Sequence, residues 1–210
     1  MRLLLLTGGR HPYQETTPVL TRFLRQEGHT VLVTRSARQL AAPSLPGYNA
    51  IIFNTRRRKD SGNDLTEAQR TGLDSFVDNG GGLVSIHISP DSCPDWPQMK
   101  KITGGGWVSE VSWHPPFGRM KVFVRNPNHP IARGVTDFDT DDELYCDLNV
   151  QPGIEVFLGA FHDGVERPLG WTAAYGKGKV ANIALGHAGV SQKNPSFQRL
   201  VLNAVDYVTA

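Results

Sequence analysis

Seven histidines punctuate this 210-residue chain, and four occupy places where an imidazole could do chemistry. His87 ends the run Gly82-Leu83-Val84-Ser85-Ile86-His87, and His187 follows Ala184-Leu185-Gly186. His114 stands in Trp113-His114-Pro115 and His129 in Asn128-His129-Pro130. His11, after Gly8-Gly9-Arg10, could contact a substrate without being catalytic, whereas His29 and His162 read as surface residues. The run Asp141-Asp142-Glu143-Leu144-Tyr145 adds carboxylates to a segment otherwise poor in charge, and any of the three could face a pocket. Imidazole near pH 7 can remove a proton as the neutral base and return one as imidazolium. Imidazoles with one carboxylate also suit zinc or a similar divalent metal, with a position left open for water or substrate. His87, His114, Glu143 and His187 would form such a four-donor set; without metal the same groups, chiefly His87, His187 and Glu143, serve as acids and bases.

These residues must be positioned by the elements around them. Leu3–Thr7, Thr30–Thr34, Tyr48–Asn54 and Leu83–Ile88 are short apolar runs that read as strands. Between them, Val19, Leu20, Phe23 and Leu24 predict a helix over Pro18–Glu27, closed by Gly28. A second helix begins near Leu65, with Thr66 as N-cap and Gln69 three residues on, and buries Leu73, Phe76 and Val77. Such alternation implies right-handed crossovers and a mostly parallel sheet covered by helices on both faces. Ligands of such sheets bind beyond the carboxyl ends of the strands, here residues 8–11, 54–59 and 87–92. A sharp turn after the fourth strand would hold His87 over that edge. Residues of about 90–150, rich in Pro, Gly, Trp and acidic groups, predict an elaborated loop region folded over the sheet, with one strand at Met120–Arg125. Strands follow at Ile154–Phe161, Leu169–Ala173 and Lys179–Leu185, with a hairpin at Asp163-Gly164, and a last helix over Pro195–Val208. One domain spanning 1–210 is expected.

Composition narrows the function classes. A net charge of +2 supplies no field for nucleic acid or an acidic membrane. The run Arg56-Arg57-Arg58-Lys59 is expected to be solvated. Gly8-Gly9 and Gly104–Gly106 lack the dinucleotide fingerprint, so no nucleotide cofactor is expected. Cys93 and Cys146 lack CxxC spacing and read as small buried or loop residues. The opening leucines are too short a run for a signal-peptide core or a membrane span, and a cytoplasmic location is the expectation. The final helix and the hairpin near Asp163 could serve a homodimer.

Taken in order, GGGLVSIH, DSCPDWP, GGG…WHP, NHPIARG, DDELY, YGKGKV…ALGH and NPSFQRLVLNAVDY resemble the ThuA (trehalose-utilisation) family over nearly the whole chain. The resemblance implies a flavodoxin-like, doubly wound sheet of the class I glutamine-amidotransferase-like superfamily, with a polar pocket at the strand ends. It also implies carbohydrate metabolism, in particular trehalose and related disaccharides handled through keto sugars. On that footing the expected function is a lyase, isomerase or hydrolase acting on an oxidised sugar; the alternative is a non-catalytic sugar-binding or accessory protein. Substrate contacts would come from His11, Trp96, His114 and Tyr145, with the tryptophans stacking on sugar rings. Amidotransferases carry a cysteine or serine nucleophile at the elbow after this strand. Here the elbow residue is His87, and Cys93 lies six residues on. Imidazole is a poor stand-in for thiolate, so glutamine hydrolysis is not expected.

Overall fold

Leu3, Leu4, Leu5 and Leu6 are all fully buried, because the strand they form is covered on both faces. In the computed structural model, which describes residues 1–210, this is β1 (Arg2–Gly8), the second strand of a nine-stranded sheet. Alternate side chains enter different cores. Leu3 and Leu5 pack with Leu20, Phe23, Leu24 and the C-terminal helix, whereas Leu4 and Leu6 pack with Leu73, Phe76 and Val77.

Along the chain, α1 (Tyr13–Gln26), β2 (Thr30–Thr34), β3 (Ala50–Thr55), α2 (Glu67–Asp78) and β4 (Gly82–Ile86) complete the expected alternation. Thr66 and Gln69 form a reciprocal capping box at the start of α2, as the sequence predicts. Then come α3 (Gln98–Thr103), β5 (Gly105–Gly106), β6 (Gly118–Val124), β7 (Phe138–Asp142) and β8 (Asn149–Val150). The chain ends with β9 (Glu155–His162), β10 (Val165–Tyr175), β11 (Gly178–Ile183), α4 (Gly189–Lys193) and α5 (Pro195–Thr209).

Sheet order is β2-β1-β3-β4-β11-β10-β9-β6-β7. The five strands from β2 to β11 are mutually parallel, and from β11 outward every pairing is antiparallel. Helices α1 and α5 cover one face, α2 and α3 the other. The sheet is thus the doubly wound α/β design, and β9–β10 form the expected hairpin at Asp163-Gly164.

Three details depart from the sequence reading. First, α1 begins at Tyr13 and contains Pro18, although that residue reads as a start. Tertiary bonds secure the added turn: Thr17 Oγ1 lies 2.7 Å from Thr7 Oγ1, and Asn54 Nδ2 donates to Thr16 Oγ1 at 3.2 Å. Second, the 90–150 segment does more than lie over the sheet, since β6 and β7 continue it. Third, the arginine run is not solvated. Arg57 is buried and donates to the carbonyls of Thr7 and Arg35 at 2.8 and 2.9 Å. Arg56 and Arg58 share Asp91 Oδ2 at 2.7 and 2.9 Å, which leaves Lys59 as the exposed member. Strand ends present carbonyls without sheet partners, and guanidinium donors satisfy them.

Candidate functional site

Four loops at the carboxyl ends of strands converge on one point. His11 lies between β1 and α1, where Gly9 passes so close to β3 that a Cβ would stand 2.7 Å from the Arg56 carbonyl. His87 is the first residue after β4 and sits in the left-handed region at φ 56°. A non-glycine residue held there costs on the order of 1 kcal/mol, a strain that recurs at functional turns. Its backbone N–H donates to the Ile183 carbonyl at 2.7 Å, which ties the turn to β11. Glu143 follows β7, and His187 follows β11 after Gly186 at φ 104°.

One carboxylate links two of these loops. Asp142, the last residue of β7, is buried and accepts from the backbone N–H of Gly186 (2.7 Å), Glu143 (2.9 Å) and His187 (3.0 Å). Burial pushes its carboxyl up, and the three N–H donors act in the opposite sense. Of the three adjacent acidic residues, Glu143 is therefore the one that enters the group. Asp142 braces it from behind, and Asp141 faces Arg119 at 3.7 Å.

Side-chain geometry fixes the hydrogen-bonding roles. His87 Nδ1 faces the Ala184 carbonyl at 3.2 Å, so this nitrogen carries the proton and Nε2 presents a lone pair. The Tyr145 hydroxyl donates to that Nε2 at 2.5 Å, with His187 Nδ1 at 3.1 Å and Glu143 Oε2 at 3.4 Å. His187 Nδ1 also meets Glu143 Oε2 at 3.0 Å. Burial alone would raise the Glu143 carboxyl, but the imidazoles of His187 and His87 hold it well below the usual carboxylate range. Burial disfavours a charged His187, yet Glu143 beside it raises its pKa above the ordinary value. Burial, with His87 and His187 close by, takes His11 down to about 3. Burial and the Glu143 charge hold the Tyr145 phenol well above its ordinary value.

His11 completes the set. Its ring centroid lies 5.3 Å from that of His87 and 5.4 Å from that of His187. Its Nδ1 is buried and has no hydrogen-bond partner. One donor atom each from His11, His87, Glu143 and His187 lies within 4.8 Å of the others. Three neutral-capable imidazoles, one carboxylate held ionised and one orphaned ring nitrogen are a donor set that fits a divalent first-row cation.

The structure thus replaces one member of the expected four. His114 belongs to the rim: its Nε2 lies 3.9 Å from Glu143 Oε1, and its Nδ1 donates to the Pro115 carbonyl at 2.9 Å. Tyr145 stands inside the group, and Trp107 packs on it at 4.9 Å between ring centroids. Trp96 is not brought to the group; it packs against the α2 side core with Arg70 over its ring at 5.9 Å. Trp113 bonds Asp147 at 2.6 Å. His129 is structural, stacked on Phe157 at 4.7 Å and accepting the Ile131 N–H at 3.1 Å. Cys93 is buried, with a thiol that burial pushes up to about 12. Phe117, whose ring lies 5.6 Å from that of His187, had no sequence signal beyond its closeness to His114.

The ThuA family model, described as trehalose utilisation, matches residues 2–208. Among solved structures, a ThuA-like protein from Parabacteroides merdae is 21% identical and superposes with a TM-score of 0.85 over 100% of this chain and 90% of that one. A ThuA-like protein from Bacteroides uniformis is 19% identical, with a TM-score of 0.76 over 99% and 91%. A protein from Salmonella typhimurium described as cytoplasmic is 15% identical, with a TM-score of 0.71 over 99% of both chains. At these identities the likeness is one of fold. A search of curated proteins finds no significant match. No helix is long and apolar enough to cross a membrane.

Proposed function

The chain belongs to the ThuA (trehalose-utilisation) family, and on that premise we propose that it is a metal-assisted enzyme of carbohydrate metabolism acting on an oxidised (keto) sugar or disaccharide such as a trehalose derivative. The observation that carries the reading is the convergence of one donor atom each from His11, His87, Glu143 and His187 within 4.8 Å, in a group where His11 Nδ1 is buried without a hydrogen-bond partner. His11, His87, Glu143 and His187 would hold the cation. When bound, a divalent metal would supply Lewis-acid polarisation of a carbonyl oxygen.

The remaining chemistry falls to the chain's own groups. A keto group acidifies the proton on the neighbouring carbon, so isomerisation or β-elimination of a glycosidic oxygen needs one positioned base. Glu143 Oε1, the oxygen turned away from His187, and His114 Nε2 at 3.9 Å form the pair that would take that proton and return it. The Ala184 carbonyl keeps His87 in the tautomer that leaves Nε2 for the cation, and the Tyr145 phenol, which donates to that nitrogen here and stays protonated, would then be free to donate to the substrate. Nothing comparable supports glutamine hydrolysis, since the Cys93 thiol is buried and protonated.

Metal analysis of the purified, tag-free protein tests this reading. About one equivalent of zinc or another divalent metal per chain is expected in the wild type, lost in His11→Ala and His187→Ala but retained in His114→Ala. Turnover of 3-ketotrehalose should be lost with the metal in His11→Ala and His187→Ala, and should fall in His114→Ala although the metal is retained, because His114 belongs to the proton-transfer pair. A wild type that takes up no divalent metal after incubation with zinc or manganese overturns the metal assignment. Sugar binding with no turnover would instead place the chain with the non-catalytic alternative.

A further inference from the structure

We infer that Phe117 is an aromatic platform on which a pyranose ring of the substrate stacks at the mouth of the His/Glu group, making it a specificity-determining residue. This rests on the carbohydrate reading above and narrows it to cyclic sugars.

The group opens in one direction. Side-chain exposure rises from 4% at His87 and 11% at Glu143 to 23% at His187 and 36% at His114. A ligand therefore reaches the donors along the edge that runs from His187 to His114. One short loop, His114-Pro115-Pro116-Phe117, supplies a side chain to both parts of that edge. His114 packs at the rim against Trp107 and Tyr145, at 6.1 and 5.7 Å between ring centroids. Phe117 leans on His187 at 5.6 Å, with its ring tilted by 51°.

Two consecutive prolines restrict the backbone between these residues. The next residue, Gly118, starts β6 and pairs with Asp142, the neighbour of Glu143. Phe117 is thus carried by the same strand pair that delivers the carboxylate, so its position relative to Glu143 does not depend on a free loop.

An exposed phenylalanine is in itself ordinary. Phe117 is 41% exposed where the donors are reached, and it touches a member of the group. Trp113 is equally exposed but is tied through its indole to Asp147 and packs on His162, away from the donors. A pyranoside presents a patch of C–H bonds on one face and hydroxyls around its rim. The phenyl face would take the former, while the carboxylate and imidazoles take the latter.

The experiment compares Phe117→Ala, Phe117→Leu and Phe117→Trp with wild type, using 3-ketotrehalose as the probe, with metal content and thermal melts as controls. KM is expected to rise about tenfold in the Ala and Leu variants, which corresponds to about 1.4 kcal/mol. The Trp variant should stay within about threefold of wild type. In all three, kcat, metal content and melting temperature should change little. Equal KM values throughout overturn the inference, as does a Leu variant as good as Trp, which would mean a generic apolar contact. Joint loss of kcat and metal would show that Phe117 only packs His187 in place. A metal-loaded wild type that neither binds nor turns over the probe would instead sink the carbohydrate reading itself, and the inference with it.

Discussion

The two halves of the sheet do different work. In the parallel half, β1, β3 and β4 are buried on both faces, and their loops supply His11 and His87. In the antiparallel half, β6, β7 and the two ends of β9 carry half-buried and exposed positions. That half and the loops around it supply Glu143, Tyr145, His114 and Phe117. His187 comes from β11, the seam, which pairs in parallel with β4 and antiparallel with β10. A scaffold with a deep core thus holds the imidazoles, and a thinner extension brings the carboxylate and the rim to them. Neither half contains a complete site.

The strongest way to break that picture is to remove one donor from each half. His87→Ala and Glu143→Gln should each lower turnover of a keto sugar by about 100-fold or more, since loss of an outer-sphere partner alone typically costs 10–100-fold. Both should abolish stoichiometric metal while keeping a cooperative thermal transition. If either variant retains full metal and activity, one half suffices and the two-part site is wrong.

Stability should separate the halves. Leu5→Ala removes a fully buried side chain from a parallel strand and should cost about 3 kcal/mol. Val165→Ala, at an exposed position of the β9–β10 hairpin, should cost about 0.5 kcal/mol or less. Denaturant melts of the two variants measure the contrast; equal losses would mean that the hairpin is as deeply engaged as the parallel core.

Asp142 sharpens the comparison, because it joins the halves without entering the group. Asp142→Asn keeps the shape but leaves an NH2 facing backbone N–H groups, and should weaken metal binding by about 10-fold or more. A metal titration beside a melt would read this as a loss of affinity in a folded protein. Unchanged affinity would mean that His187 and Glu143 hold their positions without the clamp.

The smallest effect on turnover is expected at Cys93. Its folded-state pKa is raised to about 12 from an ordinary value near 9. The protonated thiol is thus the form the fold favours. Its contribution is fully present below pH 9 and fades as pH climbs from 9 towards 12. Native protein at pH 8 should resist iodoacetamide at this residue, while unfolded protein reacts. Cys93→Ala should leave turnover within about twofold of wild type and cost about 1 kcal/mol of stability. Rapid native alkylation accompanied by lost activity would revive a cysteine-based mechanism.

Much of the scaffold is legible in the sequence, since the relevant signals are local. Leu3–Leu6, the Thr66–Gln69 cap and the apolar face of α5 are each read from a few adjacent residues. His87 and His187 are legible for the same reason, as the residues that follow apolar runs. The choice between His11 and His114 is not, because both lie near glycines and prolines and nothing in their spacing says which ring turns inward. Nor does the sequence reveal that α1 starts just after His11, as the bonds that hold that turn come from β1 and β3. Trp96 has the composition of a sugar-stacking residue, and only the position of Arg70 on α2 shows that it packs elsewhere.

Periodicity along the chain carries the elements: where strands and helices run, which faces are apolar, and so the doubly wound sheet with a ligand edge. Convergence belongs to the assembled fold. His87 and His187 stand 100 residues apart yet meet at 3.1 Å, and Glu143 reaches them from a strand at the far edge of the sheet. Burial can be written residue by residue, because each side chain answers to its own solvation. The meeting of four donors depends on strand order, loop strain at φ 56° and one shared carboxylate, all of them properties of the assembled sheet.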